Sequence, residues 1–480
     1  MMESQIIAKS RLAIVLLILL EVLLQVSCPL FAETSHATAR PPNIVLILAD
    51  DLGYGDCGCY GQTRLRTPNI DQLGKDGMRW TQFYAGSTVC APSRCVLMTG
   101  KHTGRCLIRG NSKESLPPSE TIFPEILREA GYHCGLFGKW GLGQAGSTGT
   151  PLKKGFDDFL GYLDQSHAHN FFPTFLDFKE GRKQLSNIVP NESEMGAGIA
   201  SEKIDDASEI ILEQALDFLQ NHKSEPFFLF FSINLPHANN EAGNRGTQEF
   251  GFGRYAQEDW PAAEKGFANM VEKMDLQVGR LIDRIDALEL GESTLILFTS
   301  DNGSHHEGGH KDTFFLSSGT LRGSKRSLTD GGIRVPTLAR WTGKIKPSSV
   351  SDQIGCFDDL FPTFTELAAA SQSMPTDLTG VSLVPTLLGN PEQQKQREYL
   401  YWSFYEGGHG QAVRSGPWKF VEQPLGSVPK LYRIDQDPKE EKDLASSEPY
   451  ILTKMKKHIA DAYVPGNSPW ILAPSKKSKE

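Results

Sequence analysis

This sequence of 480 residues has no excess of positive charge. Its 49 lysines and arginines are outnumbered by 58 aspartates and glutamates, which gives a net charge of -9. Such a chain has no general basic field, so no nucleic acid partner is expected and any anion site must be local. Internal repeats are also absent, and after residue 24 no apolar run approaches the length of a membrane span. A hydrophobic content of 39% and a charged content of 22% are typical of a soluble globular protein.

The apolar run at the N-terminus predicts a targeting segment. Two basic residues precede residues 12–24, and small and polar residues follow. This pattern is typical of a signal peptide over residues 1–32, and the run is short for a transmembrane span. We therefore expect export to a periplasmic, extracellular or lysosome-like compartment. Lipoprotein anchoring through Cys28 is not expected, because Gln25 stands where that processing favours leucine.

The eight cysteines do not form a zinc motif. Cys57 and Cys59 lack the second cysteine or histidine pair that a zinc site needs, and they are too close for an easy mutual bridge. Export makes disulfides possible, but sequence cannot choose among the pairings. The cysteines left once Cys28 and Cys90 are set aside are Cys57, Cys59, Cys95, Cys106, Cys134 and Cys356.

Three short, almost wholly apolar runs predict strands that are buried on both faces of a sheet. They are residues 43–49, 226–233 and 294–299, and they alternate with amphipathic helices, including one over residues 201–222. Each run ends in polar residues. This alternation predicts an α/β fold in which a large mixed, mostly parallel sheet is sandwiched by helices, with ligands at the carboxyl ends of the strands.

Two of these runs end in oxygen-bearing side chains that suit a metal. Asp50 and Asp51 follow the first run, and Asp301 and Asn302 follow the third. Adjacent carboxylates at the end of a buried strand repel each other unless a cation lies between them, although a solvated turn at Gly53 is an alternative. Hard oxygen ligands favour Ca²⁺, and next Mg²⁺, over zinc.

Residues 89–100 read Val-Cys-Ala-Pro-Ser-Arg-Cys-Val-Leu-Met-Thr-Gly. Their apolar spacing predicts a helix with Cys90 and Arg94 near its N-terminus, where free N–H groups favour an anion. A lone cysteine would be interpreted as a buried thiol or half of a disulfide. This segment, however, resembles the signature of the type I sulfatases, members of the alkaline phosphatase superfamily.

Further motifs follow in the order of that family, and the resemblance covers roughly residues 41 to 465. Residues 138–143 are similar to its Gly-Lys-Trp-His-Leu-Gly motif, with Gly141 in place of histidine. His237, after the second strand, resembles a sulfate-contacting proton donor. Lys325 matches a second sulfate-binding lysine.

The resemblance implies a mechanism. Cys90 would be oxidised to formylglycine by a formylglycine-generating enzyme, and one hydroxyl of its hydrate would attack sulfur. The cation would be held by Asp50, Asp51, Asp301, Asn302 and the modified Cys90. Lys139, Lys325 and Arg94 would offset the charge of the sulfate. The leaving alcohol would take a proton from His237 or Lys325.

The glycine at position 141 leaves the second step without its usual base. His167 or His169 could replace the absent histidine, or either could contact the substrate, and the sequence does not decide between them. His310 belongs to a loop, residues 305–310, that we expect at the rim of the pocket.

The domain organisation follows from a change in the sequence pattern, in which long alternating helices and strands give way to short segments separated by Gly, Pro and Asp. We expect a catalytic domain over residues 41–385, and a C-terminal subdomain over 386–465 with a small antiparallel sheet and a terminal helix. Residues 466–480 form a Lys-rich tail.

The prediction is an exported sulfatase acting on a sulfated small molecule or polysaccharide. Two alternatives remain: a phosphonate or phosphate ester hydrolase that uses the same site, and a non-catalytic protein that binds sulfated glycans.

Overall fold

The structure, a computed structural model, describes residues 40–179, 181–407 and 409–466. The predicted signal peptide, Cys28 and residues 467–480 of the predicted tail lie outside these ranges. The strands are β1 (Asn43–Ala49), β2 (Met78–Trp80), β3 (Phe83–Tyr84), β4 (His133–Lys139), β5 (Asp158–Tyr162), β6 (Phe175–Phe178), β7 (Gly181–Gln184), β8 (Phe227–Ser232), β9 (Thr294–Ser300), β10 (Thr337–Arg340), β11 (Ser349–Ser351), β12 (Gly355–Cys356), β13 (Leu400–Phe404), β14 (Gly410–Ser415), β15 (Trp418–Glu422) and β16 (Lys430–Arg433).

Ten strands form one mixed sheet in the order β11-β2-β10-β9-β1-β8-β4-β5-β6-β7. The central five, from β9 to β5, are parallel, while β10 and the β6–β7 hairpin add antiparallel pairs at the sides. Four more strands, β13 to β16, form a separate antiparallel sheet near the C-terminus. The predicted fold class is thus confirmed.

The α-helices are interspersed with these strands along the chain, and the last helix follows the last strand. They are α1 (Pro68–Asp76), α2 (Cys90–Thr99), α3 (Phe123–Glu129), α4 (Ala207–His222), α5 (Ala262–Ala287), α6 (Asp312–Phe315), α7 (Asp330–Ile333), α8 (Leu360–Leu367), α9 (Val384–Leu387) and α10 (Pro449–Ala462). No helix among the described residues is long and apolar enough to cross a membrane.

Strand β1 shows why the apolar runs are strands. All seven of its residues are buried. Val45 and Ile47 belong to the apolar core on one face of the sheet, and Ile44 and Leu46 to the core on the other face. Because successive side chains of a strand point to opposite faces, a strand covered on both sides has to be apolar throughout.

Two helices begin later than the sequence pattern predicts. The helix expected over residues 201–222 begins at Ala207, because Asp206 caps it by accepting a hydrogen bond from Ser208 N. Ile204, counted in its apolar face, is 60% exposed. The helix expected from Ser119 begins at Phe123, where the Ile122 amide donates to the Glu125 carboxylate.

The four-stranded sheet packs against the segment that carries Cys90. On one face, Trp402 and Ala412 share an apolar cluster with Tyr84 and Val89. On the other face, β13 to β16 pack against α10. The small sheet therefore supports the start of α2.

Candidate active site

The carboxyl ends of neighbouring strands meet at one edge of the large sheet and carry the predicted polar residues. Asp50 directly follows β1, Asp301 follows β9, and Lys139 is the last residue of β4. Ala49 lies beside Ser300 in the register, and the Asp301 amide donates to the Ala49 carbonyl at 3.0 Å. Parallel pairing thus brings together residues that are distant in the chain.

Cys90 is the first residue of α2, and its thiol faces the two aspartates after β1. Its Sγ atom lies 3.4 Å from Asp50 Oδ1 and 3.9 Å from Asp51 Oδ1. Burial and the Asp50 carboxylate raise the pKa of the Cys90 thiol well above its usual value. An unmodified Cys90 is therefore a weak nucleophile, because the thiolate is the attacking form of cysteine.

The oxygen-bearing side chains around this thiol fit a divalent cation. Ligand atoms of Asp50, Asp51, Cys90 and His237 all lie within 4.8 Å of one another. Asn302 Nδ2 donates to Asp51 Oδ1 at 2.7 Å, whereas Asn302 Oδ1 is buried without a hydrogen-bond partner. A buried acceptor of this kind needs a donor or a cation. Carboxylate and amide oxygens suit a hard cation such as Ca²⁺ or Mg²⁺.

Burial alone would raise the pKa of all three aspartates, and their neighbours decide the outcome. Lys139 is the strongest opposing influence on Asp50, whose pKa lies well below its usual value. Lys325 acts in the same way on Asp51, whose pKa is also lowered. For Asp301, burial together with the Asp50 carboxylate raises the pKa to about 7. The pKa is therefore lowered for Asp50 and Asp51 and raised for Asp301.

Two buried lysines hold the two aspartates beside the thiol. Lys139 Nζ lies 2.6 Å from Asp50 Oδ2. Lys325 Nζ lies 2.7 Å from Asp51 Oδ2 and 3.2 Å from His237 Nε2. Both ammonium groups thus place buried positive charge on the aspartates that contact the thiol, and buried charge interacts more strongly than exposed charge.

Arg94 ties α2 to the strand ends. Its Nε and Nη2 atoms lie 3.0 and 2.9 Å from Asp301 Oδ2, and its Nη1 donates to the Lys139 carbonyl and to Ser232 Oγ. The guanidinium group is therefore engaged with the protein framework. These contacts join the N-terminal turns of α2 to the ends of β9, β4 and β8.

The His237 ring is held in one tautomer. Nδ1–H donates to the Ala238 carbonyl at 2.7 Å, so Nε2 accepts from Lys325 Nζ. Burial and the neighbouring Lys325 lower the pKa of His237 to about 3. The His237 ring is neutral in this arrangement. The proton of the Lys325–His237 hydrogen bond belongs to the Lys325 ammonium group.

The space beside Gly141 is filled by Gln165. A Cβ atom at position 141 would lie 1.9 Å from Gln165 Nε2, and the Gly141 φ of +79° is unfavourable for other residues. Gln165 Nε2 donates to the Gly141 carbonyl at 3.4 Å, and its buried Oε1 has no hydrogen-bond partner. An amide can form hydrogen bonds but cannot act as a base at neutral pH.

His169 contacts the cluster through His237, whereas His310 contacts Glu264 and Phe267. The His169 ring stacks on the His237 ring, with centroids 4.5 Å apart. His310 is buried, its Nδ1 lies 2.6 Å from Glu264 Oε2, and its ring stacks on Phe267. It therefore packs into the core rather than at the rim.

His167 faces away from the cluster. Its Nε2 lies 3.0 Å from the Phe175 carbonyl, and its Nδ1 lies 3.4 Å from Asp177 Oδ2. None of these partners is a predicted site residue.

Glu307 is a site residue that sequence reasoning missed. Its Oε2 lies 3.1 Å from Lys325 Nζ and 3.6 Å from His237 Nε2, and its Oε1 accepts from Arg326 Nη1 at 2.6 Å. Although burial opposes it, Lys325 above all lowers the pKa of Glu307. The only available signal was its place in the loop predicted to rim the pocket, where a glutamate is typical of solvated surface.

All seven cysteines in the described part of the chain are free thiols. The structure therefore contains none of the possible disulfide pairings among Cys57, Cys59, Cys95, Cys106, Cys134 and Cys356.

Family models match most of the chain. A sulfatase model matches residues 42–370, and a model of the C-terminal part of N-sulphoglucosamine sulphohydrolase matches residues 323–463.

Individual proteins show the same likeness. Human (Homo sapiens) arylsulfatase A is 33% identical over 460 residues, covering 91% of this chain and 86% of the relative. N-acetylgalactosamine-6-sulfatase of Canis lupus familiaris is 30% identical over 405 residues, covering 79% and 71%. The crystal structure of Ps i-CgsB in complex with k-i-k-neocarrahexaose aligns with a TM-score of 0.76 and 26% identity, covering 90% of this chain and 95% of that one.

Proposed function

Because this chain belongs to the type I sulfatase family of the alkaline phosphatase superfamily and is a sulfuric ester hydrolase, we propose that it removes sulfate from a sulfated carbohydrate outside the cytoplasm. The observation that carries this proposal is the position of Cys90, 3.4 Å from Asp50 Oδ1 and beside two aspartates that each pair with a buried lysine. Two relatives support the substrate class: one is named for an amino-sugar sulfate, and the other was solved with an oligosaccharide.

The nucleophile of this proposal is a formylglycine made from Cys90 by a formylglycine-generating enzyme. The raised pKa of the thiol supports this, because cysteine itself would attack poorly at this position. When formed, the aldehyde supplies a hydrate with one hydroxyl for attack on sulfur and a second for release of sulfate. The place of Cys90 at the helix N-terminus, fixed by Arg94, orients that group toward Asp50 and Asp51.

The cation of the proposal is Ca²⁺, with Mg²⁺ as the second choice. Asp50, Asp51, Asp301 and Asn302 would hold it together with the modified residue 90, and the unpartnered Asn302 Oδ1 supports that assignment. A bound cation supplies charge stabilisation and lowers the pKa of a coordinated hydroxyl.

Lys139 and Lys325 bind the sulfate oxygens in this proposal, and Lys325 delivers the proton to the leaving alcohol. The hydrogen bond from Lys325 Nζ to His237 Nε2 supports this division, since the other ring nitrogen of His237 is committed to the Ala238 carbonyl. His237 then orients the lysine, and Lys325 regains a proton from solvent after the alcohol has left.

The base for the second step is His169 in this proposal. Gln165 fills the space beside Gly141 and has no basic atom. The His169 ring stacks directly on the His237 ring and its side chain is only 15% exposed, whereas His167 contacts Phe175 and Asp177. His169 is therefore the better placed of the two candidates.

The test is hydrolysis of 4-nitrophenyl sulfate by the full chain, produced together with a formylglycine-generating enzyme. We expect turnover that is lost in Cys90→Ala, lost on treatment with EGTA and restored by Ca²⁺. Parallel assays with 4-nitrophenyl phosphate and bis(4-nitrophenyl) phosphate separate the sulfatase from an ester hydrolase of the phosphate type. A higher catalytic efficiency toward either phosphate ester, or full activity in Cys90→Ala, would contradict the proposal.

A further inference from the structure

A cavity of about 200 Å³ lies beside the active-site edge of the sheet and is lined by three cationic side chains. They are Lys153, from the loop before β5, and Lys179 and Arg182, from the β6–β7 hairpin. Among the described residues, none of the three forms an ion pair with a carboxylate, although the chain as a whole carries more acidic than basic groups. Lys153 Nζ donates instead to the Ser147 carbonyl at 3.1 Å. Within the described part of the chain, this cavity therefore concentrates positive charge that no carboxylate pairs with.

Asp177, the one carboxylate among the described residues of the cavity wall, does not neutralise that charge. Asp177 lies directly opposite Arg182 in the hairpin register, but its Oδ2 accepts from the Leu163 amide at 3.1 Å and lies 3.4 Å from His167 Nδ1. The Arg182 guanidinium instead lies 3.7 Å above the Phe175 ring. The cross-strand Asp177–Arg182 pair therefore does not form an ion pair. Arg182 Nη2 donates to the Glu194 carbonyl at 3.0 Å, and the guanidinium keeps further N–H groups that an anion could accept from.

The cavity is connected to the catalytic segment. Leu163, in its wall, follows β5 and accepts a hydrogen bond from the Gly141 amide at 3.2 Å. Ala145, also in the wall, belongs to the loop that continues from Gly141. Strand β5 lies three places from β1 in the sheet, a separation of roughly 14 Å at the usual spacing between strands. That span exceeds one sugar ring.

We infer that this cavity is a second anion subsite, which binds a sulfate or carboxylate group on a sugar unit other than the one being hydrolysed. The inference rests on the proposed function and makes it more specific: the substrate is a polyanionic oligosaccharide or polysaccharide rather than a singly sulfated small molecule. Guanidinium and ammonium groups without carboxylate partners are the chemistry that recognises such an anion, and the exposed setting of the three side chains allows a chain to extend past them.

The experiment compares the wild-type chain with the triple variant Lys153→Gln/Lys179→Gln/Arg182→Gln. The probe is a size-fractionated heparin hexasaccharide, and its Kd is measured by isothermal titration calorimetry. We expect the variant to bind it about tenfold more weakly, since three charge-assisted contacts are lost but each is exposed and screened. The salt dependence of Kd should fall as well.

Lys183→Gln is the matched control. Lys183 follows Arg182 in β7, so its side chain points to the opposite face of the hairpin. We expect this variant to keep the wild-type Kd. The catalytic efficiency toward 4-nitrophenyl sulfate, which carries a single anion, should stay within about twofold of wild type in every variant, because surface substitutions of this kind rarely disturb a fold.

Equal Kd values for the triple variant and the wild type, or no binding of the hexasaccharide to the wild type, would overturn the subsite. A parallel loss of 4-nitrophenyl sulfate turnover in the triple variant would also overturn it, because the residues would then act on the fold. These failures are distinct from failure of the proposed function, which would appear as a wild-type chain that does not hydrolyse 4-nitrophenyl sulfate.

Discussion

Replacing Lys419 with methionine tests how much a buried ion pair stabilises the contact between the four-stranded sheet and the segment after Lys325. Lys419, in β15, is fully buried, and its Nζ lies 2.5 Å from Asp330 Oδ1 and 3.0 Å from Glu440 Oε1. Asp330 opens α7, five residues after the catalytic lysine candidate Lys325. The Lys419→Met variant keeps most of the side-chain volume and removes the charged ammonium group with its hydrogen bond to Asp330.

The cost follows from the charges that remain. Removing one partner of a buried ion pair costs about 3–5 kcal/mol, because the other charge is left without compensation. Arg334 and Arg414 still act on Asp330, so we expect a loss near the lower end, about 3 kcal/mol at pH 8.

The pH dependence separates charge from packing. In the wild type, burial would raise the pKa of Asp330, but Lys419 and the two arginines lower it to about 2. This contribution to stability is therefore present above the unfolded pKa and is lost as the pH falls toward 2. Without Lys419 the pKa of Asp330 rises. Protonation of Asp330 at lower pH then removes the uncompensated buried charge and restores part of the variant's free energy of unfolding. The stability gap between wild type and variant should then shrink from pH 8 to pH 5.

The assay is urea denaturation followed by fluorescence at several pH values, with Lys430→Met as control. Lys430 is exposed and pairs with Asp443 at 3.2 Å, so its loss should cost less than about 1 kcal/mol. A Lys419→Met loss below 1 kcal/mol, or one that does not change with pH, would refute the electrostatic reasoning.

Three further predictions concern the catalytic residues. Gly141→His should lower the free energy of unfolding by about 2 kcal/mol or more, because φ at this position is positive and a Cβ atom would collide with Gln165. Adding Gln165→Gly should recover part of this loss. Thermal unfolding measures both effects, and an unchanged Tm in Gly141→His would contradict the geometry. Lys325→Met should reduce kcat about 10²–10⁴-fold for a carbohydrate sulfate and less for 4-nitrophenyl sulfate, whose leaving group needs little protonation, and equal losses would argue against proton delivery. His169→Ala should keep the first sulfate transfer in a single-turnover experiment and stall steady-state turnover, whereas His167→Ala should behave as a structural variant; unchanged turnover in His169→Ala would exclude it as the base.

The convergence of the site's acidic side chains could be predicted from the sequence because they follow the ends of strands. Asp50 and Asp301 each follow an apolar run whose burial on both faces makes it a strand, and parallel neighbours must end at the same edge. The apolar pattern predicts the strands, and their parallel order predicts that Asp50 and Asp301 lie close together. Helix starts were less predictable: Asp206 fixes the start of α4 through a local cap that the apolar period does not show.

Other features depend on packing between loops that are distant in sequence. Glu307 reads as surface and is placed against Lys325 only by the folded loop. The occupation of the Gly141 space by Gln165 likewise requires two strand-end segments to meet. No local pattern in the sequence encodes either contact.

The nucleophile at residue 90, an oxidised cysteine, is the feature on which the proposed chemistry depends most. Mass spectrometry of the tryptic peptide of residues 80–94, in which Cys90 is the sole cysteine, tests it directly in protein isolated from its native host. We predict that this peptide carries an aldehyde in place of the thiol, and that the aldehyde reacts with a hydrazide reagent. An intact thiol at residue 90 in protein that hydrolyses 4-nitrophenyl sulfate would contradict this prediction.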